Sequence, residues 1–196
     1  MMRFVVAVFM FVLCFTVNIE YTAGRGIAFA KDTNKAAESF QQAAQAAVDT
    51  PLDMSFSSLA NRLAGEMPIS VEKLNALGIP LSLKRSDGSR TYYAGGPVLL
   101  NDGILLDKFD LRVIDSEDKT GTFFTFTIQE GIISRQTVES ELGQFSLYAT
   151  PTGSSWEETI TFIRHVGEYS ILTGYSQLEK DRLKVLSFDS IVNRKQ

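Results

Sequence analysis

The sequence predicts an α+β fold in which short N-terminal helices precede a mainly antiparallel sheet, with two helix-then-sheet units as the finer expectation. Three observations carry it. Two apolar segments begin at a serine and stop at a glycine, as capped helices do. Aromatic and β-branched runs with period-two alternation lie between turn signals. The stretch from Lys31 to Gln196 is long enough to bury the core of one domain and too short for two comfortable ones.

The first segment is read as a secretory signal spanning 1–30. Arg3 precedes an apolar run from Phe4 to Val17 that only Thr16 interrupts. The run is shorter than the roughly 20 residues a spanning helix needs, which suits a signal core better than an anchor. Ala28-Phe29-Ala30 offers small residues to a signal peptidase, so cleavage is expected after Ala30, with Thr22-Ala23-Gly24 as a second site. The reading implies a periplasmic or secreted protein with no stable membrane anchor after cleavage. Cys14 lies inside the apolar run behind Leu13, where a lipid-attachment site would need a small residue. It is the chain's one cysteine, so the mature protein can form no internal disulfide.

An N-terminal helical segment is expected over 31–66. Ala36, Phe40, Ala43, Ala44 and Ala47 recur at helical spacing until Pro51, either as a helix packed on the domain or as a spacer offered to a partner. A second short helix is expected from Ser57 to Ala64, with Leu59 and Leu63 inward and Gly65 as its stop.

The α+β domain itself is expected over 67–196. Ile69-Ser70 opens a helix carrying Leu74 and Leu77 and ending at Gly78; Ile133-Ser134 opens another carrying Val138 and Leu142 and ending at Gly143. Each serine hydroxyl can accept from a free first-turn amide. Each isoleucine can pack on the apolar residue four positions past the serine, a hydrophobic staple. Strands are expected at 91–100, 104–114 and 122–128, then at 145–150, 159–166, 169–175 and 183–191, with Asn101-Asp102-Gly103 as a turn and 115–119 as a charged loop. Alternation in Phe109/Leu111/Val113 and Phe124/Phe126/Ile128 predicts one buried face, and places Phe123 on the other. The helix starts recur from 69–132 to 133–196, which duplication or a capping pattern used twice would both explain.

The stretch from Ser134 to Gly143, followed by Trp156–Phe162, Tyr169–Tyr175 and Leu183–Ile191, resembles the small envelope domains of the SmpA/OmlA and β-lactamase-inhibitor (BLIP-like) type. The similarity covers about the last third of the chain, with a fainter echo from Ser70. It implies a non-enzymatic domain that binds proteins through a concave sheet. The paired cysteines of the inhibitors and the lipid-attachment cysteine of the OmlA type are absent here.

Composition excludes several chemistries. Net charge is −4 with both signs interspersed, so no long basic face predicts nucleic-acid binding. His165 is the one histidine, no Gly-x-Ser-x-Gly elbow is present, and a zinc site would have carboxylates alone beside it. The run Asp115-Ser116-Glu117-Asp118 lacks the spacing and glycine of an EF-hand loop. Glu157 and Glu158 could serve a carboxylate hydrolase, but adjacent strand residues point to opposite faces. No cofactor, metal site or catalytic residue is expected. Tyr92, Tyr93, Phe123 and Trp156 are the candidate binding residues, as aromatic anchors, with core packing the plainer account of each. The functional expectation is an exported domain that binds another protein in an envelope, inhibitor or immunity-type role. The alternative is a periplasmic small-ligand binder or carboxylate-dependent hydrolase.

Overall fold

The computed structural model describes residues 51–117, 119–155 and 157–193. Ala30, the alanine-rich helix expected between Asp32 and Asp49, and Trp156 lie outside these residues. Among the described residues no helix is long and apolar enough to cross a membrane.

Local chemistry fixes the helix starts. Helix α1 runs Phe56–Gly65 and buries Phe56, Leu59, Ala60 and Leu63 on one side. Ser55 caps it by accepting from the Ser58 amide, and Asp102, in the distant turn over 101–103, accepts from the Phe56 amide at 2.7 Å. Gly65 is not the stop that the sequence suggests: it lies within the last turn, and Glu66 is the C-cap, its amide donating to the Arg62 and Leu63 carbonyls. Helix α2, Val71–Ala76, follows the expected pattern. The Ser70 hydroxyl accepts from the Lys73 amide, and Gly78 at φ +80° turns the chain so that Ile79 donates to the Leu74 carbonyl and Gly78 to that of Asn75. This pair of bonds is a Schellman motif, and it satisfies carbonyls that the helix end would otherwise leave free. Helix α3, Arg135–Leu142, is capped the same way, Ser134 accepting from the Thr137 amide at 3.0 Å. The residues of both expected staples, Ile69 and Leu74, Ile133 and Val138, are buried in the same core.

The strands are β1 (Leu81–Asp87), β2 (Arg90–Gly95), β3 (Val98–Leu99), β4 (Leu105–Asp115), β5 (Lys119–Glu130), β6 (Ser146–Ala149), β7 (Thr159–Val166), β8 (Tyr169–Ser176), β9 (Leu183–Asp189) and β10 (Val192–Asn193). They form one antiparallel sheet in the order β1-β2-β4-β5-β9-β8-β7-β6, with β3 on β4 and β10 on β5. Strand far outweighs helix, so the fold is sheet-dominated. β1 is missing from the sequence reading because its apolar alternation ends at Leu83 and every residue after Leu81 is exposed. The single run expected over 91–100 divides into β2 and β3 at Gly96-Pro97. Proline has no amide to give the ladder, and Gly96 at φ +112° leaves no room for a Cβ against Asp107 and Phe109.

One face of this sheet is the floor of the core. Tyr93, Leu111, Phe124, Phe188 and Ile171 stand opposite one another across five strands, and Phe126, Leu186, Thr173 and Phe162 make the next row. Phe109, Phe124, Phe126 and Phe188 form an aromatic cluster with ring centroids 5.5 to 6.5 Å apart. All three helices send their buried side chains into this one core. Burying Val, Leu, Ile and Phe side chains contributes about 1.5–3 kcal/mol each, which is what holds the helices on that face.

Candidate functional site

Because side chains alternate along a strand, the residues between those of the core face point to the other side. Register then defines a transverse row on this open face: Arg85, Tyr92, Arg112, Phe123, Asp189, Ser170 and His165, one each from β1, β2, β4, β5, β9, β8 and β7. The next row reads Ala94, Asp110, Thr125, Ser187, Leu172 and Ile163. Within these rows Thr125 and Ser187 share a hydrogen bond of 2.8 Å.

The first half of the row is stacked. The Arg85 guanidinium lies 4.1 Å from the Tyr92 ring centroid, and that of Arg112 lies 5.4 Å from Phe123. Such contacts orient a cation while leaving its edge free to bond elsewhere. Arg112 is fixed further by Asp110, whose Oδ2 accepts from Nε at 3.0 Å and from Nη2 at 2.7 Å. Arg85, and less strongly Arg90, hold the Tyr92 phenol below its ordinary pKa, since a nearby cation favours phenolate. Around these groups lies an open depression of about 680 Å³ lined in part by Lys84, Arg85, Tyr92, Lys108 and Arg112. A smaller one of about 300 Å³ adjoins it, with Tyr92, Arg112, Phe123 and Ile191 in its wall.

The expected aromatic anchors therefore separate. Tyr92 and Phe123 meet on the open face, on either side of Arg112. Tyr93 faces the other way and packs against the core. Trp156 is outside the described residues. Arg85, Lys108 and Arg112 are absent from the sequence reading, although Arg112 was detectable: it alternates with the buried Leu111 and so must face outward.

No family model matches the chain, and no curated protein or solved structure matches it. The site therefore rests on its own geometry.

His165 is exposed at the end of β7, with Nδ1 2.9 Å from the Ser170 hydroxyl. Asp189 stands on the far side of Ser170, so the serine and not the histidine is central, and the carboxylate cannot orient the imidazole as a triad requires. Glu157 and Glu158 lie in the loop before β7, not on the strand that the sequence reading assumes. Glu158 accepts from the Thr152 hydroxyl at 2.8 Å and from the Thr152 and Gly153 amides at 2.6 and 3.0 Å. The Thr152 hydroxyl, and after it these amides, hold its pKa below the usual carboxylate value, which suits a loop clamp and not a general acid. In the 115–119 loop, the Ser116 hydroxyl both accepts from the Lys119 amide and donates to its carbonyl. Among the described residues no group of three or more acidic or histidine side chains is placed to hold a metal ion.

Proposed function

We propose that the open face of the sheet is a protein-docking surface and that the chain is an exported, non-enzymatic binding domain with an envelope, inhibitor or immunity-type role. The observation that carries this reading is the row from Arg85 to His165. It crosses seven strands of the sheet, from β1 to β7, opposite the face that takes the helices, and it sets the exposed Arg85 and Arg112 against the half-exposed Tyr92 and Phe123. Arginine and tyrosine are the residue types that dominate binding energy at protein interfaces. Polar neighbours such as Thr125 and Ser187 bond to one another, which lets the face be covered without stranding them.

The chain order supports a finer proposal, two helix-then-sheet units over 69–132 and 133–196. α2 leads into β1, β2, β4 and β5, and α3 into β6, β7, β8 and β9; the last strands of the two series pair at the centre. Ser70 to Ser134, Leu105 to Tyr169 and Lys119 to Leu183 are equal intervals. This layout is also what supports the resemblance to BLIP-like and SmpA/OmlA envelope domains. The hydrolase alternative finds no support at Glu158, whose carboxylate is engaged within its own loop.

A photo-crosslinking amino acid at Phe123, expressed in the native host, tests the reading. A discrete protein adduct is expected from this position and not from Glu72, which is exposed on α2. Absence of an adduct at Phe123, or the same adducts from both positions, would overturn it.

A further inference from the structure

We infer that the depression over β1, β2 and β4 receives an acidic segment of a protein partner, its carboxylates meeting Lys84, Arg85, Lys108 and Arg112. The inference rests on the docking reading and names the chemistry of the partner. The argument begins with charge. The chain as a whole carries −4, yet the lining of this depression holds four cations and one carboxylate, Asp110. Asp110 is already committed to Arg112. The side-chain amines of Lys84 and Lys108 make no hydrogen bond or ion pair with any described residue, and Arg85, held by Tyr92, has its one carboxylate neighbour, Asp87, at a long 3.9 Å. Four cations against one carboxylate on an acidic protein make a local field of opposite sign to the whole, which steers and selects an anionic partner.

Geometry selects the kind of anion. β1 and β4 lie two strand spacings apart, about 10 Å, and Lys108 and Arg112 are separated by up to about 13 Å of strand. One phosphate cannot reach cations spread over such an area, whereas an extended peptide with several carboxylates can. Arg85 is held over Tyr92, and Arg112 gives Nε and Nη2 to Asp110 while keeping Nη1, so both retain N–H donors that a carboxylate can take. A nucleic-acid strand fits less well. The row continues from Phe123 to Asp189, so the cationic track stops where a longer phosphate backbone would need it.

Lys108 adds an independent sign. It occupies a bulge of β4, between the residues paired to Thr127 and Thr125, at φ +54°. An L-residue is strained there and glycine is not. A side chain kept at such a position, exposed and without a partner in the fold, points to a use outside the fold.

The test uses the chain as its host exports it and a fluorescein-labelled octaglutamate peptide as the probe, followed by anisotropy at low salt. Saturable binding is expected, weakened at least tenfold by K84E/K108E and at least threefold by K108G, while K108G keeps or raises Tm. K84E/R85E, which leaves the bulge untouched, is expected to weaken binding as K84E/K108E does. The matched reversals K119E/K180E, away from the depression, are expected to change it less than twofold. Equal weakening by both kinds of reversal would mean net charge and not the site, and would overturn the inference. So would binding of inorganic phosphate or an octathymidylate as tight as that of the peptide. If the peptide fails to bind while the Phe123 adduct still forms, the docking surface stands and its partner is not acidic. If the adduct is absent too, both readings fall.

Discussion

Tyr175 shows how much one buried hydroxyl can decide. Its ring packs edge-on against Phe162 with centroids 5.7 Å apart, but its hydroxyl is buried without a hydrogen-bond partner. Leaving such a group unpaired costs about 1–3 kcal/mol, so Tyr175→Phe is expected to stabilise the fold by about 1 kcal/mol, measured by chemical denaturation. Burial pushes the phenol up to about 12, against an unfolded value near 10. The unfolded chain therefore loses this proton first, and stability falls as pH rises from 10 towards 12. Tm followed over that range should decline less steeply in Tyr175→Phe than in the parent; parallel curves would refute the assignment. Gly121 makes a second residue-scale case. It has φ +133°, and a Cβ there would overlap the Ser190 carbonyl, so Gly121→Ala is expected to cost about 2 kcal/mol or more and to displace the chain near Ile191 in the wall beside Phe123. An unchanged denaturation midpoint would contradict this. At this scale the sequence separates Phe123 from Phe124 by alternation alone. It cannot rank Tyr92 over Tyr93 as the open-face residue, because the two rings are adjacent and only the register with Arg112 and Leu111 says which is inward.

Whole elements were legible where their signals are local. The serine caps of α2 and α3 and the staples behind them lie within five residues of chain, so no distant contact is needed to read them. Replacing Ser134 by Ala removes the acceptor for the Thr137 amide and is expected to cost about 1 kcal/mol, with Ser70→Ala similar. Thermal unfolding of the two variants checks this, and a Tm equal to the parent's in both would show that the caps are dispensable. β1 was illegible for the converse reason. It owes its strand geometry to the ladder with β2 and not to its own pattern, and exposure along an edge removes the apolar alternation that marks a half-buried strand. Its Lys84, Arg85 and Asp87 also give that edge charges of the kind that discourage pairing with another chain. The cationic half of the candidate site was hidden with it, because Arg85 joins Tyr92 and Arg112 only once β1 is in place.

At the scale of the molecule, the proposed pair of helix-then-sheet units raises the question of whether each folds alone. The central contact argues against it. β5 of the first series pairs with β9 of the second along 123–127 and 185–189, and the aromatic cluster draws Phe109, Phe124 and Phe126 from one side and Phe188 from the other. α1 and α3 also pack together, and the buried side chains of all three helices belong to a single connected core. Each half is about the size at which an isolated core becomes marginal, so neither has the burial to spare if this seam opens. Unfolding is therefore expected to be one cooperative transition. Leu74→Ala on α2 and Val138→Ala on α3 each leave a cavity in the shared core, the first costing about 2–5 kcal/mol. Each should lower the temperature of the whole transition in calorimetry, with van't Hoff and calorimetric enthalpies in agreement. Two transitions, one moved by Leu74→Ala and the other by Val138→Ala, would show that the halves are separate folding units. The continuous open face would then owe its alignment to the β5–β9 ladder alone.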